Sequence, residues 1–176
     1  RFPLYSSLLN PRKDSIVRLR EYLEKGEPAL VRTLQDLVRF PTVNPPGSNY
    51  KSIVDYLAAR CSSLGMDTSV HSVDKETLRR SSVSVEFPRY NLIARWNSGA
   101  TRTVHFNAHY DVVPASGSWR FGSPFDPVVN NGSLYGRGSG DMKGSIAALL
   151  MALEAMRKTK TDPAFNIECS FTADEE

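Results

Sequence analysis

The chain has few of the residues that would signal sulfur-bound metal, membrane or nucleic acid. Only two cysteines, Cys61 and Cys169, occur in 176 residues. They are not in C-x-x-C spacing, which argues against zinc on thiolates. Cys61 falls in a helical pattern and Cys169 in a strand pattern, so both are expected to be buried, reduced thiols of a cytoplasmic protein. No apolar run approaches the ~18 residues of a membrane span, and no signal peptide is visible. The first residue is Arg1 rather than Met, so the true start is expected upstream. Net charge is only +3, and no basic run exceeds the Arg79-Arg80 pair. Without a Lys/Arg stripe interleaved with aromatics, nucleic-acid binding is set aside. There is no internal repeat and no low-complexity segment.

The patterns that are present describe a layered α/β domain. Residues 1–11 show no period and read as an arm. Ile16, Leu19, Tyr22 and Leu23 recur at helical spacing over Ser15–Lys25, and Gly26 stops that helix. A second helix starts near Pro28, turns Leu30, Leu34, Leu37 and Val38 inward, and ends at Pro41. The loop Thr42-Val-Asn-Pro-Pro-Gly47 is either a linker between helices or the rim of a site. A third helix over Tyr50–Leu64 buries Ile53, Val54, Leu57 and Cys61, with Gly65 as its C-terminal cap. Strands are predicted over residues 66–73, 90–96, 103–107 and 164–172, and residues 74–88 read as a polar loop. Asn131-Gly132 lies between two short apolar runs, which signals a hairpin turn and explains the Asn131-Gly-Ser133 sequon more simply than a glycan does. The most regular helix is Met142–Lys158, with Ile146, Leu149, Leu150, Leu153 and Met156 in one stripe. This order predicts an α/β fold of three layers, incomplete in these residues, with a mixed, mostly parallel sheet flanked by helices.

Functional residues gather in the second half. His109 and Asp111 follow an apolar strand. Asp141 directly follows the glycine-rich stretch Gly136-Arg-Gly-Ser-Gly140, and Glu175 and Glu176 follow the last strand. In open α/β sheets such sites form at the carboxyl ends of strands. His109 and Asp111, two apart in extended chain, project to the same side, the spacing by which a carboxylate fixes a metal-bound imidazole. The glycine stretch fails both phosphate-loop patterns. Neither count of G-x-G-x-x-G ends on glycine, and Met142 rather than Gly precedes Lys143. Asp141 is thus a metal carboxylate or the N-cap of the following helix. Glu175 and Glu176 are a solvated acidic run, or one of them binds metal while the other acts as general base. His71 and His105 lie inside strands and read as structural. One imidazole with several carboxylates suits Zn, Co or Mn.

Ala108-His-Tyr-Asp-Val-Val-Pro114, Leu134-Tyr-Gly-Arg-Gly138, Asp141-Met-Lys-Gly144 and Asp174-Glu-Glu176 together resemble the co-catalytic zinc amidohydrolases and peptidases. This is the family of acetylornithine deacetylase, succinyl-diaminopimelate desuccinylase, aminoacylase and carboxypeptidase G. The resemblance covers residues 28–176, the N-terminal portion of the catalytic domain, with residues 1–27 as an arm and helix before it. It implies two divalent metal ions, most often zinc. His109 would ligate one, Glu176 the other, and Asp141 would bridge both. It also implies Glu175 as general base, Asp111 orienting His109, and a cis peptide at Asp141–Met142. The implied activity is hydrolysis of amide bonds in N-acyl amino acids or short peptides. The alternative is a non-catalytic fragment or pseudoenzyme acting as a binding partner. The family's remaining ligands, its lid or dimerisation domain and its terminal histidine find no match here, and a full-length parent could form a homodimer. Residues 1–176 alone are therefore expected to bind zinc weakly, to lack amidase activity, and to leave strand 164–172 with an uncovered apolar face or an unpaired edge.

Overall fold

The computed structural model describes residues 11–176, so the arm expected before them lies outside the described residues except for Pro11. The elements are α1 (Pro11–Lys25), α2 (Glu27–Val38), α3 (Tyr50–Ser63), β1 (Asp67–Ser72), α4 (Lys75–Arg80), β2 (Tyr90–Trp96), β3 (Thr103–His109), β4 (Val128–Asn130), β5 (Ser133–Tyr135), α5 (Gly144–Lys158) and β6 (Asn166–Thr172). Helix α1 begins four residues before the expected Ser15. The segment expected to be a plain loop contains α4, because Asp74 caps it through the Thr77 N–H at 2.9 Å. Helix α3 ends as its sequence suggests. Gly65 at φ +70 lets Met66 N–H donate to Cys61 O and Gly65 N–H to Ser62 O, the paired bonds of a glycine-terminated helix.

The main sheet has the order β1-β2-β6-β3. It is mixed and packed by helices, as expected, but less parallel than expected. The β1–β2 and β2–β6 pairs are antiparallel, and β3–β6 is parallel. A short excursion through α4 joins β1 to β2, whereas only β3 and β6 are joined by a helical crossover, α5, which parallel neighbours need.

Leu92, Ala94 and Trp96 of β2 face the same side as Ile167, Cys169 and Phe171 of β6. Against that side pack Ile53, Val54, Leu57 and Cys61 of α3 and Ile146, Leu150 and Leu153 of α5. Each of the Leu, Ile, Val and Phe side chains among them contributes ~1.5–3 kcal/mol when fully removed from water. The Arg60–Glu154 ion pair and the Arg157 guanidinium over the Trp96 ring tie α3, α5 and the sheet together. The opposite side carries Arg95, His105 and Glu168 in an ion-paired row. Among the described residues, therefore, the helices supply one layer over the sheet, in keeping with the expectation of an incomplete three-layer fold.

The expectation for strand 164–172 is also corrected. β6 is interior, paired on both edges, and its uncovered side is polar rather than apolar. The edge strands are β1 and β3; β1 is largely polar apart from Val70, whereas on β3 Val104 and Phe106 stand 37% and 41% exposed. No described helix is long and apolar enough to cross a membrane. Both cysteines are free and buried, and burial pushes each thiol up to about 12. Asn131 and Gly132, both at positive φ, form the β4–β5 turn.

Candidate metal centre

The parallel pairing of β3 with β6 creates the site. His109, the last residue of β3, stands opposite Thr172, the last residue of β6. Everything after Thr172 therefore emerges beside the imidazole, at the carboxyl ends of the two strands.

The third contribution comes from the glycine-rich turn before α5. Gly138 at φ +77 lies so close to β3's continuation that a Cβ there would sit 2.4 Å from Val112 Cγ1. Asp141 then leaves helical geometry at φ −125, ψ 107. Its carboxylate caps no helix, since α5 has no side-chain cap bond. It points at His109 instead, with Oδ1 3.1 Å from Nε2. The Asp141–Met142 peptide is cis, as expected, and the Met142 thioether accepts the His109 backbone N–H.

One donor atom each from His109, Asp141 and Glu176 lies within 4.8 Å of the others. Glu175 Oε2 is 3.6 Å from His109 Nε2. Asp111 is fully buried beneath them. Its Oδ2 accepts the backbone N–H groups of Glu175 and Glu176, both at 3.1 Å, and Nδ2 of Asn44 at 3.3 Å. The His109 Nδ1 lies 3.2 Å from the Asp111 carbonyl oxygen and 3.5 Å from Asp111 Oδ1.

This donor set suits a divalent cation. Three carboxylates, those of Asp141, Glu175 and Glu176, crowd one imidazole. The nearby cations are engaged elsewhere, Arg89 on Asp174 and Lys143 on the Phe40 carbonyl. The arrangement repels itself unless a positive charge sits among the carboxylates. Asp111 Oδ1 is buried without a hydrogen-bond partner, a place that a proton on His109 Nδ1 would satisfy once Nε2 binds metal.

All five residues singled out in the sequence are thus brought together. Several that were not singled out join them. Asn44 links Asp111 to the Glu176 carbonyl, at 3.3 and 3.0 Å, so the proline loop is part of the site rim and Val43 bridges to Val112. Both Asn44–Pro45 and Pro45–Pro46 are cis. Thr42 Oγ1 donates to the Tyr110 carbonyl at 2.6 Å. Lys143 is wholly buried, and burial pushes its ammonium down to about 7, partly opposed by Asp111. The Pro-Pro-Gly composition marked a rigid loop but not its neighbours in space.

A carboxylate–imidazole metal centre at the ends of two parallel strands is the class that the fold and site define. Residues 105–176 match the model of peptidase family M20/M25/M40. The chain is 36% identical over 150 residues to succinyl-diaminopimelate desuccinylase of Acidovorax ebreus, covering 85% of this chain and 37% of that protein. Human carnosine dipeptidase 1 superposes with a TM-score of 0.72 at 25% identity, over 88% of this chain and 34% of the other. The dipeptidase Dug1p of Saccharomyces cerevisiae superposes at 0.76 with 19% identity, over 92% of this chain and 35% of the other, a likeness of fold. The chain belongs to this family of metallopeptidases and amidohydrolases, whose members bind divalent metal. It spans about a third of the length of the relatives it matches.

Proposed function

We propose that the protein, in its natural full length, hydrolyses amide bonds in N-acyl amino acids or short peptides, as a deacylase or carboxypeptidase. The observation that carries this reading is the convergence of His109, Asp141 and Glu176 within 4.8 Å, with Glu175 beside them. His109 and Asp141 would hold one of two divalent ions, and Asp141 and Glu176 the other. Zinc suits this donor set, with cobalt or manganese as alternatives. When bound, such ions polarise the scissile carbonyl and acidify the attacking water.

Within the chain, each side chain has a distinct task. Glu175 accepts the proton of the attacking water and delivers it to the departing amine nitrogen as the C–N bond breaks. Asp111 Oδ1 accepts a hydrogen bond from the Nδ1–H group of His109 and so holds the ring with Nε2 toward the carboxylates. Asp111 Oδ2 fixes the backbone of both glutamates, so the same buried carboxylate positions base and ligand. The names of the relatives, a desuccinylase and a dipeptidase, support an amide as the bond attacked. We read residues 28–176 as the N-terminal portion of the catalytic domain, residues 1–27 as an arm and helix leading into it, the assembly as a homodimer, and the buried thiols as those of a cytoplasmic protein.

The test compares Glu175→Gln with His109→Ala in the full-length protein. Glu175→Gln is expected to keep its metal content and lose turnover by about 100-fold or more, because an amide cannot accept the proton. His109→Ala is expected to lose metal as well. Equal metal loss in both variants, measured by atomic emission, would make Glu175 a ligand and overturn the division of roles.

A further inference from the structure

We infer that Arg89 is a positioning residue for the paired glutamates, acting through Asp174; the inference rests on the metal-centre reading above. Asp174 lies at φ +59, in the left-handed region that residues other than glycine seldom adopt. This reversal directly precedes Glu175, and after it two successive backbone N–H groups point at the same oxygen, Asp111 Oδ2. Two groups hold the Asp174 carboxylate in that pose. Arg89 Nε donates to Oδ2 at 2.6 Å, and the Tyr50 hydroxyl donates to Oδ1 at 3.0 Å.

Arg89 does more than neutralise one acid. Its Nη1 also donates to the Pro46 carbonyl at 2.9 Å and the Phe87 carbonyl at 2.5 Å. One planar guanidinium thus joins the proline loop, the approach to β2 and the turn after β6. The proline loop is the segment that sends Asn44 to Asp111 and to the Glu176 carbonyl. The side chain is only 7% exposed. Gly47 passes directly over it, since a Cβ there would stand 2.3 Å from Nη1. The Tyr50 ring packs beneath, 5.4 Å from the guanidinium carbon. Arg89 is buried but the Asp174 carboxylate is 31% exposed; an ion pair taken partly out of water adds little net stability, because desolvation offsets attraction, and its attested use is to select one arrangement. Here the arrangement selected is the glutamate turn. A lysine cannot replace it, for one ammonium cannot present donors in Arg89's fork to Asp174 and both carbonyls at once.

The test uses the full-length protein with Arg89→Ala and Arg89→Lys. Arg95→Ala, on the opposite side of the sheet, serves as control. Zinc affinity is read by competition with a chromophoric chelator, alongside kcat and KM for an N-acyl amino acid. Both Arg89 variants are expected to lose about 10–100-fold in zinc affinity and in kcat, as when outer partners of metal ligands are removed. KM should stay within about threefold, because the substrate is not touched. Millimolar ethylguanidinium should restore part of the loss in Arg89→Ala and none in Arg89→Lys, whose side chain fills the space. Arg89→Lys keeps the charge and stem, so it carries the test if the alanine variant fails to fold. Zinc affinity and kcat at the level of the Arg95→Ala control in either folded variant would overturn the inference. Absence of amidase activity in the unaltered protein would overturn the hydrolase reading alone, and zinc affinity would still decide the role of Arg89.

Discussion

The Asp111 carboxylate accepts the backbone N–H of Glu176 at 3.1 Å, so a residue two positions past the end of β3 fixes one four positions past the end of β6. The same carboxylate has its other oxygen 3.5 Å from His109 Nδ1. Asp111 therefore serves two tasks through two atoms, and substitutions should separate them.

Asp111→Ala would leave the N–H groups of Glu175 and Glu176 and the Asn44 amide without their acceptor. A buried donor left unpaired costs ~1–3 kcal/mol, so a total loss of about 2–4 kcal/mol is expected once water enters the space. Asp111→Asn keeps one oxygen for those donors but presents an NH₂ to His109. It should retain most of the stability and lose about 10-fold or more in metal affinity. Denaturant unfolding and zinc titration of both variants would check this. Full metal affinity in Asp111→Asn would remove Oδ1 from any role in orienting the imidazole.

Lys143 predicts a particular pH dependence of stability. Its folded pKa, about 7, lies below the ordinary 10.5 because burial penalises the ammonium. Between these values the unfolded chain holds a proton that the folded chain lacks, so stability rises with pH. Below about pH 7 the charged form is buried at full cost. Above pH 9 the thiols Cys61 and Cys169 act in the opposite sense, because their folded values near 12 keep protons that the unfolded chain gives up. The Lys143 effect should therefore be clearest from pH 7 to 9, at up to ~1.4 kcal/mol per pH unit. Metal-free protein should show a rising denaturant midpoint across that window, and Lys143→Met should flatten it. An unchanged slope in Lys143→Met would assign the dependence to other groups.

The β3 edge is the place to expect self-association of residues 1–176. Val104 and Phe106 are exposed there beside unpaired strand backbone, and charged residues are the usual protection of such edges. Phe106→Lys should raise the soluble, monomeric fraction severalfold by light scattering without changing the circular dichroism spectrum. A lysine on the same side of β6, Phe171→Lys, falls in the core and should unfold the chain. If Phe106→Lys left aggregation unaltered, the contact would lie elsewhere.

Much of the fold and site was legible without coordinates because it is local. The apolar stripe of α3, buried at the four positions its period specifies, and the cap at Gly65 each depend on a few adjacent residues. So do the Asn131-Gly132 turn and the placement of His109, Asp141, Glu175 and Glu176 just after strands or in a glycine turn. Period and turn chemistry report on nearest neighbours. They carry no information on which strands lie side by side. Packing of α3 and α5 on one side of the sheet accompanies a strand order with β6 between β2 and β3, so the uncovered apolar side chains stand on the β3 edge rather than on residues 164–172. Most of the pairing in that order is antiparallel. The same long-range packing brought Asn44 under Glu176, Arg89 against Asp174, and the Lys143 ammonium to the Phe40 carbonyl. Each of these contacts joins residues dozens of positions apart, so the side-chain types were written in the sequence while their partners were decided only when the apolar core closed.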